Sequence, residues 1–247
     1  MRRFRIAALC DGHLASLRSE IRRRWRRISR PARLGTLRRT TPLSTIWGRD
    51  RGTPIGRYYI EKFLAMHQSD IHGHVLEIKD SRYTSRFGSN IVAVDILDLD
   101  AQNSRATIVA DLADAQTIKS DQFDCFVLTQ TLQYIYYLRD AIAHAYRILR
   151  PGGVLLVTVP GLRQIDAQAA DRDYWRFTSS LCRSIFGEIF GDEQVAVQVY
   201  GNVLTTIAAL EGMATEELSH RELDACDDYY PVIIAVRAVK IRASGGE

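Results

Sequence analysis

Apolar positions first recur at helical spacing near the N-terminus. Leu14, Leu17, Ile21, Trp25 and Ile28 form a narrow stripe, and Arg18, Arg22, Arg23, Arg24, Arg26 and Arg27 fill the places between them until Pro31 ends the pattern. A second helix is predicted over Arg57–His67, through Tyr58, Tyr59, Ile60, Phe63 and Leu64. Short apolar runs follow at His74–Asp80, Ile91–Ile96, Thr107–Ala110, Phe123–Thr129, Val154–Val159, Val195–Tyr200 and Val232–Val239. Their near-continuous apolar character predicts strands of a parallel sheet covered on both faces. Between them, Leu138–Arg150 repeats apolar residues at Leu138, Ile142, Ala145 and Leu149 before Pro151-Gly152-Gly153 turns the chain. Ser179–Phe190 reads as a further helix, and Val203–Leu223 as a partly helical insertion. Strands alternating with helices define an α/β architecture.

Length and composition narrow this picture. A chain of 247 residues suits one large domain. No apolar run approaches the roughly 20 residues needed to cross a bilayer, and Ile6–Cys10, cut short by Asp11, is too brief for a secretory leader. Cys10, Cys125, Cys182 and Cys226 lie far apart, which argues against a zinc site or disulfide framework and for a reducing, cytoplasmic setting. Charge is uneven: residues 1–40 hold 13 Arg against Asp11 and Glu20, a balance of +11, so a total of +4 leaves −7 for the rest. We therefore divide the chain into a basic extension, residues 1–42, partly helical or disordered, and a domain, residues 43–247. The extension reads as an interfacial helix on the anionic inner face of a membrane, as a solvated arm, or as a contact for another protein. No aromatic platform or known motif points to nucleic acid.

In a doubly wound sheet, ligands bind beyond the carboxyl ends of the strands. The residues found there are Glu77, Lys79 and Asp80 after the first predicted strand, Asp95 at the second, Asp111 and Leu112 after the third, and Gln130 and Thr131 after the fourth. Asp95 alone could cap a turn and Asp111 a helix. Three acids at successive strand ends favour a binding role. His144 lies in a helix away from these ends and reads as structural. No His/Cys/acid cluster has metal-ligand spacing, so no metal is expected.

Strand–acid, strand–acid, strand–Asp-Leu, then FDCFVLTQTLQYI and LRPGGVLLVTVP, together resemble class I S-adenosylmethionine-dependent methyltransferases over Gly73–Pro160. The phrases WGRDRGTPIGRYYIEKFL (from Trp47), DYWRFT (from Asp173) and YGNVL (from Tyr200) resemble a bacterial, methyltransferase type 11-like branch associated with glycan and polysaccharide synthesis. The resemblance implies a Rossmann-like, seven-stranded, mostly parallel sheet with its last strand antiparallel, and S-adenosyl-L-methionine as cofactor. It assigns Asp95 to the ribose hydroxyls, Asp111 and the Leu112 backbone to adenine, Glu77, Lys79 and Asp80 to the methionine loop, and Gln130 to the methyl side. It implies methyl transfer to an oxygen of a sugar or glycan-linked small molecule. Asp173 is the expected proton acceptor, ahead of Asp171 and Asp166. Tyr174, Trp175 and Arg176 form either an acceptor wall or a lid packed on the core. The chain departs from the family at the loop after strand one, where Glu77-Ile78-Lys79-Asp80 stands for acid-x-Gly-x and no glycine occurs before Gly88. That departure leaves two rivals: a catalytically degenerate binding protein, or another nucleotide-using enzyme, although the G-x-G-x-x-G fingerprint is missing.

Overall fold

The structure is a computed structural model that describes residues 38–241 continuously and scattered positions between 18 and 35. The chain divides into two compact units, Met1–Thr41 and Pro42–Glu247. In the first unit the described positions from Arg18 to Ser29 are helical, and Ile21, Trp25 and Ile28 are exposed. Leu14 and Leu17 of the predicted stripe lie outside the described residues.

The second unit is built on a seven-stranded sheet. Its strands are β1 (Gly73–Ile78), β2 (Ile91–Asp98), β3 (Ile108–Val109), β4 (Phe123–Thr129), β5 (Leu149–Pro160), β6 (Val195–Tyr200) and β7 (Ile233–Val239). They lie in the order β3-β2-β1-β4-β5-β7-β6. Pairings from β3 to β5 are parallel, and β7 runs antiparallel to both β5 and β6. This is the expected Rossmann-like class I methyltransferase sheet.

Period-two alternation along the central strands fills two core layers. Val75, Cys125, Val127 and Leu156 face one side, against α1 (Ile55–Met66), which buries Ile55, Tyr59, Ile60, Phe63 and Leu64. Leu76, Phe126, Leu128, Leu155 and Val157 face the other, against α3 (Leu138–Ile148) and α4 (Ser179–Phe190). Each such buried side chain contributes about 1.5–3 kcal/mol, so this double layer is what fixes the strand ends in space. The remaining helices are α2 (Arg82–Phe87), α5 (Val203–Glu211) and α6 (His220–Asp224). Among the described residues no helix is long and apolar enough to cross a membrane.

Two boundaries differ from the sequence reading in ways that matter below. β1 stops at Ile78, because Lys79 turns into the left-handed region at φ 67°. β2 runs two residues further than predicted, to Asp98, because Leu97 and Asp98 pair with Ile108 and Val109 of β3.

Candidate active site

The sheet reverses its strand order between β1 and β4, so the crevice lies beyond their carboxyl ends. On the β1 side, Glu77 is buried. Its carboxylate accepts the amide N–H groups of Tyr83 (2.9 Å) and Thr84 (2.7 Å). Burial pushes the carboxyl above its usual range, with those bonds pulling the other way. Glu77 thereby anchors the loop that leads into α2.

Lys79 adopts the conformation that a glycine would provide. Its φ is 67°, its N–H bonds to the Leu97 carbonyl (3.0 Å), and its own carbonyl accepts from the Asn103 side chain (2.9 Å). The turn survives without glycine at a strain of order 1–3 kcal/mol, and the Lys79 side chain projects into solvent-exposed space. Asp80 accepts from the Arg82 amide (3.0 Å) and sits 3.3 Å and 3.8 Å from the guanidinium groups of Arg82 and Arg105.

Asp95 requires a correction. It lies in mid-strand opposite Leu76, and its carboxylate is held by His74 Nε2 (2.7 Å) and the Thr107 hydroxyl (2.7 Å). The acid at the end of β2 is Asp98, half-buried, accepting from the Asp100 amide (3.1 Å) and the Asn103 side chain (2.8 Å). Asp111 is exposed after β3 and caps the following turn through the Ala113 amide (2.9 Å), while the Leu112 side chain is buried in the core. The structure therefore brings Lys79, Asp80, Asp98 and Asp111 to the strand ends, and leaves Asp95 below them.

On the β4 side, Gln130 also takes a left-handed conformation, at φ 47°. Its amide N–H bonds to the Thr158 carbonyl (2.8 Å) across to β5. Its side-chain oxygen accepts from Arg163 (2.8 Å), and its carbonyl accepts from the buried Gln133 side chain (2.9 Å). Two non-glycine residues in a strained region thus flank the crevice, a pattern that clusters at functional sites.

Asp173, the expected base, is also corrected. Its carboxylate is spanned by two Arg176 nitrogens (2.6 and 2.8 Å) and accepts the Asp166 amide (2.8 Å). Burial would raise its pKa, but Arg176 and the Asp166 amide outweigh burial and lower it. A carboxylate held by three donors is a poor proton acceptor; Asp173 instead shapes the loop after β5. Asp166 is the acid that this loop delivers to Tyr134, whose hydroxyl donates to it (2.8 Å). Burial and that bond push the Tyr134 pKa up, so the phenol stays a donor. Asp171 is exposed.

Most of the signature residues prove architectural. Around WGRDRGT, the Ser44 hydroxyl donates to Asp50 and accepts the amides of Ile46 and Gly48, while Arg51 pairs with Glu217 and Thr53 with Glu216. Gly48, at φ 79°, leaves no room for a Cβ, which would meet the Met213 carbonyl at 2.7 Å. The clamp presents Trp47, whose ring centroid lies 4.9 Å from the Arg163 guanidinium and 5.1 Å from that of Arg49. In DYWRFT, Trp175 donates to the Ile135 carbonyl (3.0 Å), Phe177 is buried and Thr178 caps α4, while the Tyr174 ring is left exposed. In YGNVL, Asn202 caps α5.

Residues 78–157, from the end of β1 through most of β5, match the family model described as a methyltransferase domain. Over these residues the chain carries a methyltransferase domain. Its strand ends carry a left-handed turn at Lys79 and carboxylates at Asp98 and Asp111. Solved structures of similar fold include a putative sarcosine dimethylglycine methyltransferase from Galdieria sulphuraria (12% identity, 74% of this chain and 86% of that one, TM-score 0.51). Another is a Haemonchus contortus phosphoethanolamine N-methyltransferase complexed with phosphomonomethylethanolamine and S-adenosylhomocysteine (15%, 73% and 52%, 0.50). A third is the [4+2]-cyclase SpnF (13%, 78% and 84%, 0.50). At these identities the likeness is one of fold, and the cyclase shows that a fold does not fix a reaction. No curated protein matches the chain.

The sequence reading of this methyltransferase missed Asp98, Gln133, Tyr134, Arg163 and Trp47. Asp98 was within reach, since Leu97-Asp98 extends the apolar run of β2. Trp47 and Arg163 are brought together only by tertiary structure.

Proposed function

We propose that this methyltransferase transfers the methyl group of S-adenosylmethionine to a hydroxyl oxygen of a sugar or glycan-linked small molecule. One observation carries the acceptor class. Tyr136, Tyr137 and Tyr174 are 59%, 65% and 49% exposed yet lie edge to face, Tyr136 at 5.3 Å from Tyr137 and 5.4 Å from Tyr174, with Trp175 behind at 6.0 Å. They stand on the loops after β4 and β5, beside Tyr134 and Asp166. Exposed aromatic faces offer a surface on which the C–H face of a sugar ring stacks.

In this reading Asp98 accepts the ribose hydroxyls, and Asp111 with the Leu112 backbone receives adenine. Lys79 and Asp80 meet the charged ends of the methionine moiety, while Gln130 borders the methyl group. The sulfonium supplies an activated methyl, so alignment does most of the work and a base the rest. In the same reading Asp166, whose carboxylate accepts from Tyr134, takes the hydroxyl proton.

The test is transfer of labelled methyl to a panel of mono- and disaccharides. Label in a sugar, lowered by Tyr136→Ala or Tyr174→Ala in folded protein, supports the reading. Label carried only by amine or thiol acceptors refutes it.

A further inference from the structure

The acceptor side of the crevice holds a cation that the protein does not itself neutralise. Arg163 follows β5 and is partly buried, which lowers its pKa from the ordinary arginine value without threatening its charge. Its one side-chain hydrogen bond is to a neutral group, Gln130 Oε1 (2.8 Å). Among the described residues no carboxylate lies within 4.0 Å of it. The nearby acids are engaged elsewhere, Asp173 by Arg176 and Asp166 by Tyr134. The remaining neighbour is the Trp47 ring, and the indole N–H of Trp47 is buried without a partner among the described residues. A partly desolvated guanidinium with no carboxylate in ion-pair contact is costly to keep, and an unpaired buried N–H adds to that cost. Both costs fall at one place, next to Gln130 at the end of β4.

We propose that Arg163, backed by Trp47, is a subsite for an anionic substituent of the acceptor, a carboxylate or a phosphate. The substrate class is then an acidic or phosphorylated sugar. The planar fork of a guanidinium matches two oxygens of such a group. A neutral sugar has no group that would pair with this guanidinium as an ion. The inference rests on the sugar reading above.

The test uses the full chain loaded with S-adenosylhomocysteine. Binding of glucose, glucuronate, glucose 6-phosphate and inorganic phosphate is measured by ligand-observed NMR for wild type, Arg163→Gln and Arg163→Lys, with thermal melting as the folding control. We expect both anionic sugars to bind about tenfold or more tighter than glucose. That preference disappears in Arg163→Gln and is partly kept in Arg163→Lys, which retains the charge without the fork. Equal binding of glucose and the anionic sugars by wild type overturns the anion subsite and leaves the sugar reading standing. So does a preference that survives in folded Arg163→Gln. Phosphate binding that depends on Arg163, with no sugar bound, supports the anion subsite and removes the sugar reading. No binding of phosphate or of either anionic sugar overturns the proposal.

Discussion

Replacing Asp173 with Asn separates a structural acid from a catalytic one. The wild-type carboxylate is 3% exposed and accepts three hydrogen bonds, two from Arg176 and one from the Asp166 amide. An Asn side chain keeps one acceptor oxygen and turns an NH₂ group toward the guanidinium. Breaking a fully buried pair costs 3–5 kcal/mol. Arg176 is 27% exposed and also donates to the carbonyls of Arg163, Gln164 and Trp175, so part of its hydrogen bonding survives. We therefore expect a loss of about 2–3 kcal/mol, a fall in Tm of about 4–12 °C for a domain of this size. The sign with pH follows from the lowered pKa: the stabilisation is present above the unfolded value of about 3.9 and is lost as pH falls through the folded one. Urea unfolding of wild type and Asp173→Asn should thus converge on acidification below about pH 4. Asp166→Asn is the control, with little change in stability and a large loss of methyl transfer. An Asp173→Asn protein of wild-type stability that binds cofactor normally yet transfers no methyl would refute this reasoning and restore Asp173 as the base.

Other predictions follow from the same geometry. Asp98→Ala should weaken S-adenosylhomocysteine binding by about 1.5–3 kcal/mol in calorimetry, whereas Asp95→Ala should leave affinity intact and lower the melting temperature through the loss of the His74 and Thr107 bonds; the reverse result would return the ribose to Asp95. Lys79→Gly should relieve the positive φ and hold or raise the urea midpoint, while Lys79→Ala keeps the strain; weaker cofactor binding in both identifies the ammonium as a contact to the methionine carboxylate. For the basic extension we propose an anionic membrane as partner: the full chain should co-sediment with phosphatidylserine-containing vesicles, less so as salt rises. Trp25→Glu with Ile28→Glu should abolish that binding, and unchanged sedimentation would end the idea.

The sheet was legible in the sequence because its central strands are buried on both faces. Phe123–Thr129, Ser179–Phe190 and Val195–Tyr200 have the same ends in sequence and structure. Errors came where pairing, not hydropathy, sets the boundary. β2 reaches Asp98 only because β3 offers it a partner, and that shift moved the strand-end acid from Asp95. At Lys79 the local signal was absent, since a lysine gives no warning that its backbone will take a glycine's conformation. The engagement of Asp173 was not legible because its partner is three residues away in the same loop, and DYWRFT shows the pair without showing that it closes. Arg163 and Trp47 are 116 positions apart in the sequence (163 − 47), and no periodicity connects them.

The clamp that carries Trp47 has a consequence for the order in which this protein comes into being. Leu43 and Ser44 bond to the Glu211 carbonyl, Arg51 to Glu217 and Thr53 to Glu216, contacts that span more than 160 residues. On a ribosome, where domains form from the N-terminus onward at roughly 5–20 residues per second, β1 to β4 have all their neighbours except β5 long before residue 211 emerges. The cofactor half of the crevice can therefore be assembled on nascent chains, while the wall holding Trp47 waits for α5 and the segment after it. A chain stopped short of residue 211 would leave Trp47 unplaced, so under the proposed assignments the donor and acceptor sides would mature at different moments of synthesis.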